Sequence, residues 1–196
     1  MGRKSTRNTK GRIVAAAWKL FYEQGYEETT VEDIILESET SKGSFYHYFD
    51  GKDDLLSSLS VLFDEQYESI MQEPELPEDP LALLAYLNRR LFTVIENTVS
   101  IELLTRLLSS QLVTRGEKHL LDRSRTYFKL LRRIFTEGLE RGALRADFTV
   151  GEMVRSYAMF ERGLMYDWCL SGGEYSLPGY AGRVMPLFLE GFRAEK

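Results

Sequence analysis

Apolar residues recur at helical spacing through nearly the whole of this chain, and no stretch of strand length alternates polar with apolar side chains. That pattern predicts an all-α fold of about nine helices. Ile13, Ala16, Ala17, Leu20 and Phe21 form the first stripe. It ends at Gly25, a left-handed cap with Tyr26 placed to pack back, so the first helix is expected over residues 9–24. Thr30, with Asp33 three residues on, starts a second, short helix with a capping-box-like pair, and Val31, Ile34 and Ile35 give it an apolar side as far as Ser38. Ser41 caps a third, very short helix with Phe45 and Phe49 one turn apart, and Asp50-Gly51 breaks it. The stripe Leu55, Leu59, Leu62, Phe63 and Ile70 stops before Pro74, Pro77 and Pro80, a spacing that reads as a linker. Further stripes run through Leu84, Leu87, Leu91 and Ile95, then Ile101, Leu104 and Leu108, then residues 120–139 to Gly142. The last two helices are expected over 150–170 and 180–192, split by Gly172-Gly173 and Pro178, with Pro186 kinking or interrupting the final one.

Charge is distributed unevenly. The net charge of −5 argues mildly against a nucleic-acid partner unless the cations are concentrated. They are: Arg3, Lys4, Arg7, Lys10, Arg12 and Lys19 meet no acid before residue 20, whereas between 20 and 56 Lys42 and Lys52 stand alone among many acids. Any DNA-facing surface in that second stretch is therefore small, and residues 1–10 read equally as a solvated tail or as a phosphate-seeking arm. Cys169, His47 and His119 are too few for an ordinary structural zinc site or a disulfide framework, so no metal or cofactor is expected. No run reaches the length of a membrane helix, and no apolar segment follows the basic start, which predicts a cytoplasmic protein without a membrane partner. Catalysis has no motif to stand on. Gly51-Lys52 lacks the rest of a phosphate-binding loop, there is no Gly-x-Ser-x-Gly elbow, and the histidines lie far apart.

Two short helices joined by about three residues form a helix-turn-helix, whose second helix enters the major groove N-terminus first. With Phe45 and Phe49 inward, Lys42, Gly43, Tyr46 and His47 face out. Gly43 lets backbone approach DNA, Lys42 and Ser44 offer donors, and the Tyr46 hydroxyl reaches toward phosphate. Lys52, at the start of the next helix, adds a cation beside free amides and reads as a phosphate clamp. Taken singly, each of these reads more readily as a surface aromatic or a solvated charge; only their order is specific.

That order, with Leu20-Phe21, Gly25-Tyr26, Thr30, Ile34, Ser41-Lys42-Gly43-Ser44-Phe45-Tyr46, Tyr48-Phe49, Lys52 and Leu55-Leu56, resembles the DNA-binding domain of the TetR family of bacterial transcriptional regulators. The resemblance implies a DNA-binding domain over 1–52 and a helical effector-binding and dimerisation domain over 53–196. It also implies a homodimer through the last two helices, a double-stranded DNA operator and release by a small molecule. The implied DNA contacts are Thr30, Thr40, Ser41, Lys42, Gly43, Ser44, Tyr46, His47, Tyr48 and Lys52. One departure stands out: Ser38-Glu39-Thr40-Ser41 replaces the family's usual Ala-Gly-Val-Ser, placing glutamate where glycine readily takes a positive φ. Glu39 and the neighbouring acids also suggest a rival function, a dimeric ligand-binding or adaptor protein that has lost sequence-specific DNA binding.

In the second half, Tyr157, Glu161, Leu164 and Trp168 share a stripe. With the resemblance, Phe128, Phe135, Tyr157, Phe160, Glu161 and Trp168 become the candidate effector pocket. Such walls imply a largely apolar effector, and Glu161 in that pocket would favour a cationic or donor group. The plainer alternatives are that Glu161 pairs with an arginine across the dimer or at the rim of the core and that the stripe is core. Arg106, one turn after Glu102, is expected to pair with it.

Overall fold

The computed structural model describes residues 3–113 and 118–195, with side chains from Thr9 onward. The possible basic arm, for Arg3, Lys4 and Arg7, lies outside the described side chains. The helices are α1 (Arg3–Glu23), α2 (Val31–Glu37), α3 (Lys42–Tyr48), α4 (Lys52–Leu56), α5 (Ser58–Ile70), α6 (Pro80–Thr98), α7 (Ile101–Val113), α8 (Thr126–Glu140), α9 (Val150–Leu170) and α10 (Leu177–Glu190). Only Ser57, itself helical at φ −60° and ψ −26°, separates α4 from α5, so the described residues follow the expected all-α course of nine helices with one interrupted. Among the described residues the β-pairing amounts to a single antiparallel bridge, Leu144 to Arg193.

The contacts divide the chain into two units. The first comprises Met1–Val61 and Glu102–Thr114. Here α1 contacts both α2 and α3, and Ile13, Ala17, Phe21, Ile34, Phe45 and Leu55 make its core. Gly25 at φ 90° turns the chain after α1 so that Tyr26 folds back onto Phe21, ring centroids 4.9 Å apart. Burial and a hydrogen bond to Asp53 raise the Tyr26 phenol well above its ordinary pKa. Arg106 of α7 bonds to Glu27, not to Glu102 as helical spacing suggests, because the turn after α1 brings a competing carboxylate within reach.

The second unit comprises Leu62–Ile101 and Arg115–Lys196. Here α6 lies along α10, and α8 packs on α9. Asp79 caps α6 and also receives Arg193 at 2.9 Å, tying the linker to the end of α10. Two expectations are corrected. The helix read over 120–139 is a 3-10 turn at His119–Leu121 followed by α8, because the Asp122 carboxylate accepts the Ser124 amide at 2.8 Å in a local turn that competes with helix. Pro186 does not interrupt the last helix, which runs through it as α10. Pro186 and Leu187 face solvent there, so the ring meets no packed neighbour on its outer side.

Candidate functional site

Local hydrogen bonding builds the reading head. Thr30 caps α2: its hydroxyl accepts the Asp33 amide at 3.1 Å while Asp33 receives both the Thr30 amide and hydroxyl, which hold its carboxyl below the usual range. Ser41 caps α3 by accepting the Ser44 amide at 3.1 Å, and Ser41 and Ser44 share a hydroxyl contact of 2.9 Å. Thr40 is half-buried, its hydroxyl 2.8 Å from that of Ser38. With Phe45 fully buried and Phe49 nearly so, Lys42, Gly43, Tyr46 and His47 form one exposed face, Tyr46 at 47% exposure. Lys42 reaches Glu32 at 3.4 Å and lies 5.9 Å from the Tyr46 ring centre. Tyr48 is half-buried against His47 and Phe49.

Lys52 does not join that face. Its ammonium donates to the carbonyls of Tyr26 at 2.8 Å, Glu27 at 3.1 Å and Thr29 at 3.1 Å, and sits 4.5 Å from the centre of the Tyr26 ring. All three donors are spent on the loop before α2, so a phosphate clamp at Lys52 is not what this structure holds. Spacing places Lys52 at a helix start but cannot reveal that the preceding loop returns with its carbonyls turned toward it.

The effector candidates divide. Glu161 is buried at 3% exposure, and its Oε1 accepts from the hydroxyl of Tyr67 at 2.9 Å, from Asn88 Nδ2 at 2.9 Å and from the hydroxyl of Tyr157 at 3.4 Å. Among the described residues of the single chain no arginine forms an ion pair with Glu161; its Oε1 is held by Tyr67 and Asn88, while the one Tyr157 hydroxyl hydrogen is shared with the Leu84 carbonyl at 3.1 Å. Burial first, then the Glu161 charge, pushes the phenols of Tyr67, Tyr127 and Tyr157 far up. Two buried polar atoms, Asn88 Oδ1 and the Tyr127 hydroxyl, make no hydrogen bond of good geometry. Phe135 meets Tyr157 at 6.4 Å and Phe128 meets Tyr127 at 4.9 Å, so both border the cluster. Phe160 instead stacks on Phe188 of α10 at 4.2 Å, and Trp168 donates to the Tyr175 carbonyl at 2.8 Å; neither joins Glu161 in one wall. Sequence reasoning missed Tyr67 and Asn88. Asn88 left a trace, as a polar residue one turn after Leu84 on the stripe that α6 buries.

Two openings adjoin this cluster. A crevice of ≈ 30 Å³ is lined by Phe63, Tyr67, Leu91, Tyr127, Glu161, Arg162 and Met165 among others. An open groove of ≈ 430 Å³ between α5 and α8 shares Tyr67 with it and carries Met71, Leu130, Lys129 and Arg133.

Residues 13–59 match the model of bacterial regulatory proteins of the tetR family. An uncharacterised HTH-type transcriptional regulator from the lacX 3′ region of Lactococcus lactis subsp. lactis is 50% identical over 46 residues, 24% of each chain, so that likeness is confined to a short segment. The fatty acid metabolism regulator protein of Bacillus subtilis is 23% identical over 92% of this chain and 93% of its own. Thermus thermophilus FadR, a TetR family repressor solved in complex with lauroyl-CoA, superposes with a TM-score of 0.73 at 24% identity, covering 95% of this chain and 96% of that one. Among the described residues no helix is long and apolar enough to cross a membrane. The segment that matches the family model folds as a capped helix-turn-helix, α2 and α3, the DNA-binding motif of bacterial regulators of the tetR family, and the whole chain shares its fold with T. thermophilus FadR.

Proposed function

We propose that the chain is a repressor that binds a near-palindromic operator as a homodimer, reads it with α3, and releases it when a small, largely apolar effector binds. Residues 1–52 form the DNA-binding part and 53–196 the effector-binding and dimerisation part. The observation that carries this reading is the exposed face of α3, where Lys42, Gly43, Tyr46 and His47 stand clear of a core fixed by Phe45 and Phe49. Thr30, Thr40, Ser41 and Ser44 already serve the caps and the turn, with the Thr30 amide given to Asp33, the Thr40 amide to Ile35 and the Ser44 amide to Ser41, so they orient the reading helix.

The effector is an apolar chain with an anionic end. Lys129 and Arg133 supply the matching charge at the groove, and Met71 and Leu130 the apolar wall. The T. thermophilus relative holds an acyl-CoA, which has this chemistry. Tyr67 leads from the groove to the crevice, where ≈ 30 Å³ accommodates about one water. A chain entering there must displace Phe63, Leu91 or Met165, and that displacement couples occupancy to helix movement.

A gel shift with DNA from upstream of the chain's own gene, repeated with lauroyl-CoA, tests the reading. The expected result is a salt-sensitive, sequence-selective complex that lauroyl-CoA dissolves, and Lys129→Ala with Arg133→Ala should raise the concentration needed by about tenfold or more. Selective DNA binding unaffected by any acyl-CoA would overturn the effector assignment alone. Dimeric protein that binds lauroyl-CoA but prefers no sequence would establish the adaptor alternative.

A further inference from the structure

We infer that Arg12 of α1 is a positioning residue for the reading helix, fixing the α2–α3 turn in a left-handed form that Glu39 does not favour by itself; this rests on the DNA-reading role of α3. Glu39, at φ 49°, is the one non-glycine residue with positive φ among the described residues. Its amide donates to the Leu36 carbonyl and the Thr40 amide to the Ile35 carbonyl, both at 3.1 Å. These two bonds close a helix through a left-handed residue that is ordinarily glycine. A β-carbon at that position crowds the following carbonyl, so the conformation needs support from outside the turn.

Arg12 provides it. Its Nη2 donates to the Ser38 carbonyl and, at 2.8 Å, to the Glu39 carbonyl, the two acceptors that the closing bonds leave open. The same nitrogen lies 3.5 Å from the Glu39 carboxylate. A cation is also favoured at this end of α2 by the helix dipole. Farther along α1, Lys19 meets Glu37 at 2.7 Å, and Ala15 and Ala16 between the two cations leave a shallow groove against the end of α2. Thr40 and Ser41 follow at once, and Ser41 caps α3. Rotation at Glu39 therefore swings Lys42 and Gly43, at the tip of the reading helix.

The test uses the full chain, a duplex recovered by in-vitro selection with the wild-type protein, and a random-sequence duplex of equal length. Arg12→Gln should weaken binding to the selected duplex about tenfold, leave the random duplex nearly unchanged, and leave the salt dependence as it was. Adding Glu39→Gly should restore affinity, because glycine takes positive φ unaided. Arg12→Lys, which keeps the charge but not the two-carbonyl reach, should fall between. A salt slope lower by about 1.8 in the Arg12→Gln dimer would mean that Arg12 contacts phosphate directly, and would overturn the inference. So would failure of Glu39→Gly to rescue. Amide exchange at Thr40 and Ser44, read without DNA, should quicken in Arg12→Gln and slow again with Glu39→Gly. Unchanged exchange contradicts the inference even if no duplex is ever selected, an outcome that counts against the DNA-reading role separately.

Discussion

Lys52 spends its donors on the carbonyls of Tyr26, Glu27 and Thr29, so its removal acts on the fold before it acts on DNA. Lys52→Ala should lower unfolding free energy in urea by about 1–2 kcal/mol, with no change in the salt slope of DNA binding. A smaller slope at unchanged stability would return it to the phosphate contacts. The three tyrosines around Glu161 carry a pH signature. Their folded pKa values lie above the unfolded value, so their stabilisation is complete below about pH 10 and is lost as pH rises beyond it, by about 1.4 kcal/mol per pH unit for each phenol that stays protonated. Urea unfolding between pH 9 and 11 should show this fall, and Tyr67→Phe should make it shallower. Equal slopes for wild type and Tyr67→Phe would show that Tyr67 ionises while folded. Side-chain type and spacing point to Glu161 as unusual, but its donors come from positions 67 and 88, on α5 and α6, a convergence that one-dimensional spacing does not contain.

Helices were legible where their start signals are local. The Thr30 and Asp33 capping box, the Ser41 cap and the proline-marked start of α6 all lie within four residues of what they organise. The failures share a different cause. Residues 120–125 carry apolar spacing, yet Asp122 uses its side chain to satisfy the backbone locally, and the helix waits until Thr126. α1 begins at Arg3, before the first apolar residue of its stripe, because nothing between Arg3 and Thr9 is a strong helix breaker. The long α9 starts from a second capping box, Thr149 with Glu152, that apolar spacing does not register. Thr149→Ala should cost about 1 kcal/mol by thermal or urea unfolding. A change below a few tenths would indicate that packing against α8, rather than the cap, fixes where α9 begins.

For the molecule as a whole, the proposed dimer rests on apolar side chains that the single chain leaves exposed on its last two long helices: Met159, Tyr166 and Leu170 on α9, and Tyr180 and Leu187 on α10. Gly163 and Gly182 have open space where a β-carbon would stand, which lets a second copy approach closely. Leu187→Asp should therefore yield monomer by light scattering at micromolar concentration, together with loss of operator affinity; a dimer in that variant would move the interface elsewhere. The most direct measurement is salt-resolved binding of the full chain to duplexes selected in vitro from a random pool. One near-palindromic sequence should be enriched, bound by two chains, with Lys42→Ala lowering the salt slope of the dimer by about 1.8 and Tyr46→Phe weakening binding to every sequence alike. A pool that yields no preferred sequence, or a Lys42→Ala protein with the affinity and slope of wild type, would contradict DNA reading by α3.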